Sequence, residues 1–267
     1  FEKWQKCFDC GQFFHGAVDL ALAWASWNTY VGRPEPDAFR TMAMGALGNT
    51  LRSHDAEQAL PILEASLSVR QRLFQRNTQG ILIALSNLAG CFGDLGRHEE
   101  SLGLLRQTHA RRTEIFGSSD PGTLIDAHML AKVMLKLGRY AEAKTFLTEQ
   151  AGVARNALGP DHSDTLEINH YLSIALADDP ARTLYDLRKA RNIAQDTHKR
   201  HRRVLGPDYP GSRDCERFLS HVAQRIANFQ DAPQGPDDPL TFSRPDGLAA
   251  TLGDDGVLRF LTNFSLG

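Results

Sequence analysis

The sequence has only four cysteines in 267 residues, too few and too scattered for a secreted disulfide framework, so a reducing, intracellular and cytoplasmic setting is expected. No long hydrophobic run is present: the most apolar stretch, Gly16 to Trp27, is interrupted by Asp19 and too short to span a bilayer. No signal peptide is expected either. No sign of charge dominates, because 30 Lys and Arg face 32 Asp and Glu for a formal charge of -2, which argues against a general nucleic-acid or anionic-membrane binder. Gly-rich phosphate loops, a G-x-S-x-G elbow and an H-E-x-x-H helix are all lacking, and the ten histidines are scattered. No catalytic residue is assigned, and the chain reads as something other than an enzyme.

What the sequence has instead is a period of 42 residues. Leu95-Gly96-Arg97 recurs as Leu137-Gly138-Arg139, and Phe116-Gly117 recurs as Leu158-Gly159. Leu82, Leu85, Leu88, Ala89, Phe92 and Leu95 fall three and four apart, as one stripe of an amphipathic helix does. Forty-two positions on stand Leu124, Ala127, Leu130, Ala131, Met134 and Leu137, so the stripe is repeated whole. A second helix per unit sets small residues at Ala59, Ser101 and Ala143 four before large ones at Leu63, Leu105 and Leu147, and it closes at Phe74, Phe116 and Leu158. Small against large suits close helix packing. Gly117 and Gly159 read as left-handed helix ends, Asp120-Pro121 as the start of the next helix, and Asp164 with Glu167 as a capping box. Units that touch only their neighbours and stack into one core form a solenoid.

These residues resemble the tetratricopeptide family in its 42-residue, kinesin-light-chain-like form. The likeness rests on Thr123-Leu124 and Thr165-Leu166, on Asn87-Leu88-Ala89 and Met129-Leu130-Ala131, on the two Leu-Gly-Arg turns and on Tyr140-Ala141-Glu142-Ala143. It covers residues 37 to 229, with Asp37 to Phe74 as a weaker first unit and Asp164 to Gly206 as a degenerate third that carries five extra residues near Asp178-Asp179-Pro180. It implies an all-α, right-handed solenoid of antiparallel helix pairs that binds a protein or peptide, with the first helix of each unit lining the concave side. In that register Asn87 and Asp94, then His128, Met129, Lys132 and Lys136, then Glu167, His170, Tyr171 and Ile174 face a partner, beside Ile83, Ser86, Gly90 and Ile125. Lysines, histidines, asparagine and tyrosine suit an extended backbone and acidic side chains, and the isoleucines and methionine offer apolar contact.

The two ends read differently. Cys7 and Cys10 form a C-x-x-C pair, and such a pair supplies only two of the four ligands a structural zinc requires. They are unpaired thiols on a lead-in, half of a small knuckle with His15, or the last two ligands of a finger. Residues 1–12 resemble the end of a RING-variant zinc finger, which implies no cofactor in this chain and zinc only in a longer protein. A helix is expected within 13–36. At the other end Asn169 and Ser173 replace Ala127 and Ala131, and a helix from Gly211 to Phe229 is expected to seal the array, while 230–267 reads as a Pro-, Gly- and Asp-rich linker and tail. His198 to Arg203 is strongly basic but reads as a solvated helix end. Three functions are compatible with this reading: a peptide- or protein-binding scaffold, the substrate-recruiting arm of a RING-variant ubiquitin ligase, and a structural subunit of a larger assembly.

Overall fold

In a computed structural model the described residues are 17–73, 78–207, 210–231, 241–243, 249–252 and 258–261. Cys7, Cys10, His15 and Phe74 lie outside them. The chain divides into two compact units, Phe1–Ala223 and Gln224–Gly267. The first carries helices α1 (Ala17–Tyr30), α2 (Ala38–Arg52), α3 (Ala56–Leu73), α4 (Thr78–Asp94), α5 (His98–Phe116), α6 (Pro121–Lys136), α7 (Tyr140–Leu158), α8 (Ser163–Asp178) and α9 (Leu184–Val204), and α10 (Pro210–Asp231) begins in it. Each helix packs on the next from α1 to α9, while α2, α4, α6 and α8 also touch one another in sequence. That second set of contacts makes an inner row of first helices. Among the described residues of this unit the fold is all-α, as the periodicity predicts.

The stripe residues form the core. Leu82, Leu88 and Ala89 are buried, as are Leu124, Ala127, Leu130, Ala131 and Met134, and Ala59, Leu63, Ser101, Leu105, Ala143 and Leu147 are sealed at the second-helix positions. Cys91 joins them in a cluster with Leu51, Ala59, Leu63 and Leu88. Repeated turns follow from repeated sequence: Gly96 and Gly138 take φ of +78° and +70°, and the next amide, of Arg97 or Arg139, bonds the carbonyl five residues back, Phe92 or Met134, at 2.8 and 2.9 Å. This is a Schellman end, which an L residue other than glycine adopts only under strain.

Polar groups also enter this core. Arg112 Nε lies 2.7 Å from Asp126 Oδ2, both side chains almost wholly buried, and Ser86 Oγ donates to Asp126 Oδ1 at 2.6 Å. The pair ties α4, α5 and α6 together. Ser86 is therefore a core residue and not a groove residue, because its hydroxyl meets the buried Asp126 carboxylate.

The degenerate unit departs in three ways. The helix cap at α8 is His162, whose Nδ1 accepts from the Asp164 amide at 3.2 Å, so the expected Asp164–Glu167 capping box does not form and both acids sit within the helix. The insertion is shared among a longer turn, 179–183 against 137–139, a longer helix, 21 residues in α9 against 19 in α7, and Leu205 between that helix and Gly206. Asp179 takes the place of the glycine turn: its Oδ1 accepts from the Ala181 amide at 2.9 Å and its Oδ2 lies 3.4 Å from Lys144 Nζ on α7. Thr183 and Asp186 then make a full capping box for α9.

Within the first unit α10 meets α8 and α9 through side chains: His198 Nδ1 lies 3.1 Å from the Ser212 carbonyl oxygen and Cys215 touches His170 and His201. The basic run is largely engaged, with Arg200 and Arg203 both on Asp161 and His201 buried. In the second unit β1 (Thr241–Ser243), β2 (Ala249–Leu252) and β3 (Leu258–Leu261) form an antiparallel sheet in the order β1-β2-β3, with Phe242 opposite Ala250 and Ala250 opposite Phe260. The reading of 230–267 as linker and tail contained no strand.

Candidate functional site

The inner row presents two open cavities that share a wall. The first, of about 840 Å³, runs from α2 to α8 and is lined by Asn87, Asp94, His128, Met129, Lys132, Lys136, Glu167 and Tyr171 among others. The second, of about 890 Å³, lies between α6, α8 and α10 and is lined by Lys132, Lys136, Glu167, His170, Tyr171 and Ile174 together with α10 side chains. All ten residues assigned to a partner surface thus line one cavity or the other. Lys132, Lys136, Glu167 and Tyr171 line both. Gly90 and Ile125 line the first, whereas Ile83 is exposed but lines neither cavity.

His170 is a partial exception, because it is 7% exposed and belongs more to the core than to the groove. Its ring meets Phe218 edge-on at 5.8 Å, and its Nδ1 lies 3.3 Å from Cys215 Sγ, which is 3.7 Å from His201 Nδ1. Burial, with His201 adding to it, lowers His170 to about 4, so the ring is neutral at pH 7. Burial pushes the Cys215 thiol up to about 12, and Glu167 and Asp214 push the same way. It remains a thiol. Among the described residues no group of three His, Cys, Asp or Glu side chains could hold a metal ion.

Charges in the groove are mixed and close. Arg52 Nε lies 2.9 Å from Asp94 Oδ2, and Lys132 Nζ lies 3.8 Å from Asp94 Oδ1, so one acid joins α2, α4 and α6. Gly90 makes this possible, since a Cβ there would stand 1.7 Å from Arg52 Nη1. His128 Nδ1 faces Asp164 Oδ1 at 3.5 Å, yet burial, then Lys132 and Arg52, lower the ring to about 4. Burial raises Glu167 to about 7, and Asp164 and Asp214 add to this while Lys132 and the Tyr171 hydroxyl oppose it. Near neutral pH Glu167 can therefore serve as donor or acceptor. The surface offers ion pairing, hydrogen bonding and apolar contact along one open trough.

Sequence reasoning missed Arg52, Asp164 and the α10 residues Asp214, Arg217, Phe218 and His221. Arg52 was within reach, because it stands 42 residues before Asp94 in the same register. The α10 residues were not, because that helix lies outside the period.

Comparison with known proteins agrees with the geometry. A family model described as tetratricopeptide repeat matches residues 40–114 and 80–151. The described helices of the first unit form an α-solenoid of the tetratricopeptide-like fold, and the family match itself lies within residues 40–151. Among solved structures the fold is similar to the nearly identical TPR-like repeats of a kinesin light chain-type protein from Podosopora anserina, at 19% identity and a TM-score of 0.58, over 75% of this chain and 92% of that one. It is similar to BtubC (BKLC) from P. vanneervenii at 12% identity and a TM-score of 0.54, over 86% and 100% of the two chains. A third similar structure is Rap protein complexed with Competence and Sporulation Factor, at 16% identity and a TM-score of 0.50, over 79% of this chain and 60% of that one. No curated protein sequence matches. The matching family is a repeat family and not a catalytic one, and among the described residues no helix is long and apolar enough to cross a membrane.

Proposed function

We propose that the chain is a non-catalytic protein-interaction scaffold that takes a peptide or protein partner along the concave face of its repeats. The observation that carries this reading is the continuity of the trough: two cavities from α2 to α10 share Lys132, Lys136, Glu167 and Tyr171, so one extended segment can touch α2, α4, α6, α8 and α10 in turn. A set of half-buried polar and apolar side chains on a rigid curved row is suited to backbone hydrogen bonding with apolar anchoring. The complex of Rap protein with Competence and Sporulation Factor, on a similar fold, supports a binding role.

Affinity capture from the native extract, with wild type beside a Lys132→Glu, Tyr171→Ala double variant, tests it. Both side chains line both cavities, so a partner held by wild type and lost by the correctly folded variant supports the concave surface. Equal capture by both moves the interaction to another face.

A further inference from the structure

The ten histidines look scattered along the chain, yet four of them meet where the last helix joins the array: His170 on α8, His198 and His201 on α9, and His221 on α10. His170 Nδ1 lies 3.3 Å and His201 Nδ1 3.7 Å from Cys215 Sγ. His198 Nδ1 lies 3.1 Å from the Ser212 carbonyl oxygen, and the His170 ring stands edge-on to Phe218. His170 and His201 are both buried, so α10 is gripped by rings that water hardly reaches.

This grip suits neutral rings. With one thiol proton between two imidazoles, the Cys215 S–H donates to one ring and the N–H of the other donates to sulfur. A further proton on either ring places a cation in a buried site. Burial and then His201 hold His170 at about 4, against the pull of Asp214 on α10. Burial also lowers His201, with the Gly211 backbone opposing and His198 assisting. Lys132 and Lys136 of α6, Tyr140 of α7 and Arg217 of α10 line the second cavity with His170, and the three cations among them favour its neutral form. Two groups act in the other sense. Glu167 is raised to about 7, but of the acids that raise it Asp164 is on its own helix and only Asp214 is on α10. His221 faces Asp178 at 3.5 Å, where a charged ring would hold α10 on, through side chains that both reach solvent.

We propose that this junction is a pH-sensitive latch: below neutrality, protonation of His170 and His201 releases α10 from α8 and α9 and withdraws one wall of the second cavity, while the regular repeats stay folded. The sign follows from proton linkage. A ring depressed in the docked state supports docking above its ordinary 6.5, and that support is lost as pH falls toward 4. His170 alone makes release about 20-fold more favourable at pH 5 than at pH 7. The latch does not depend on what the groove holds, and only its effect on a ligand rests on the concave-face reading above.

Amide hydrogen exchange of the full chain at pH 5 and pH 7, corrected for intrinsic rates, reads the latch directly. Protection of residues 210–223 should fall about tenfold or more at pH 5, while α4 to α7 change by less than about twofold. His170→Gln and His201→Gln should each reduce that fall. His128→Gln should leave it, because that ring is also lowered to about 4 but lines the first cavity, to which α10 contributes nothing. An α10 that loses no more protection than α4 to α7, or that loses it in full in both variants, overturns the latch. Peptides selected at pH 7 from a random displayed library, and placed in the groove by their loss of affinity on Lys132→Glu, Tyr171→Ala, read its consequence. They should bind wild type more weakly at pH 5 than at pH 7, and His170→Gln about equally at both. Groove-dependent peptides that bind wild type equally at both overturn the withdrawal of the wall. Recovery of no groove-dependent peptide overturns the concave-face reading, and the exchange result then decides the latch by itself.

Discussion

The unit formed by α6 and α7 and the one formed by α8 and α9 share a register but solve their turns and interiors differently. The former ends its first helix on Gly138 with apolar Ala127 and Ala131 inside, and confines its buried charge to a matched pair, Asp126 with Arg112. The latter ends on Asp179, buries Ser173, His170 and His201 and leans on a neighbouring helix through Cys215. Regular repeats are held by shape, whereas the unit that departs from the period is held by specific polar contacts.

The largest expected effect comes from cutting the matched pair. Arg112→Met leaves the Asp126 carboxylate buried without its partner and should cost about 3–5 kcal/mol in chemical denaturation. Burial already pushes the Asp126 acid up, against the pull of Ser86 and Arg112, so the variant should also lose stability further as pH rises. Arg112→Met with Asp126→Leu should recover most of the loss.

Packing itself can be compared next. Leu147 in α7 and Leu187 in α9 are both fully buried, so Leu147→Ala and Leu187→Ala should each cost about 2–5 kcal/mol and agree within about 1 kcal/mol. A far smaller loss at Leu187 would mean that the degenerate unit is loosely packed. The turns give a smaller contrast. Gly138→Ala forces an L residue to φ of +70° and should cost about 1–2 kcal/mol, while Asp179→Ala removes a side-chain cap and should cost about 1 kcal/mol.

Proton linkage gives the smallest effect and the sharpest sign. Glu167 has its folded pKa raised from 4.5 to about 7, so its penalty is absent below about pH 4.5 and grows as pH rises through 7. Glu167→Gln should therefore stabilise the fold by roughly 1 kcal/mol at pH 8 and by nothing at pH 4. His170 acts in the opposite sense: its pKa falls from 6.5 to about 4, so stability present above 6.5 is lost as pH drops toward 4. Thermal melts across pH 4–8 of wild type and Glu167→Gln check this, and an equal gain at both ends would contradict it.

The helix pairs, their stripes and the glycine turns were legible because each depends on spacing alone, and spacing is what a 42-residue period records. The ten groove positions were placed on the trough for the same reason. Ser86 was misjudged, and the depth of His170 went unseen, because their burial involves partners 40 and 45 residues away, Asp126 and Cys215, which no helical periodicity links to them. The Asp164 cap failed for a local reason: His162 is extended and reaches the Asp164 amide first, with the helix already under way at Ser163. Asp179 as a turn-former was hidden because aspartate there replaces a backbone conformation with a side-chain hydrogen bond, so the Leu-Gly-Arg signature vanishes while a turn remains. The α10 wall of the second cavity stands outside the repeat, and its contribution came only with the fold.

The central claim is that recognition takes place on the inner row. Amide hydrogen exchange of the full chain, with and without a saturating groove-selected peptide, tests it most directly. The account predicts new protection concentrated in α4, α6 and α8, with α5 and α7 unchanged. Protection confined to α5, α7 and α9 would contradict it.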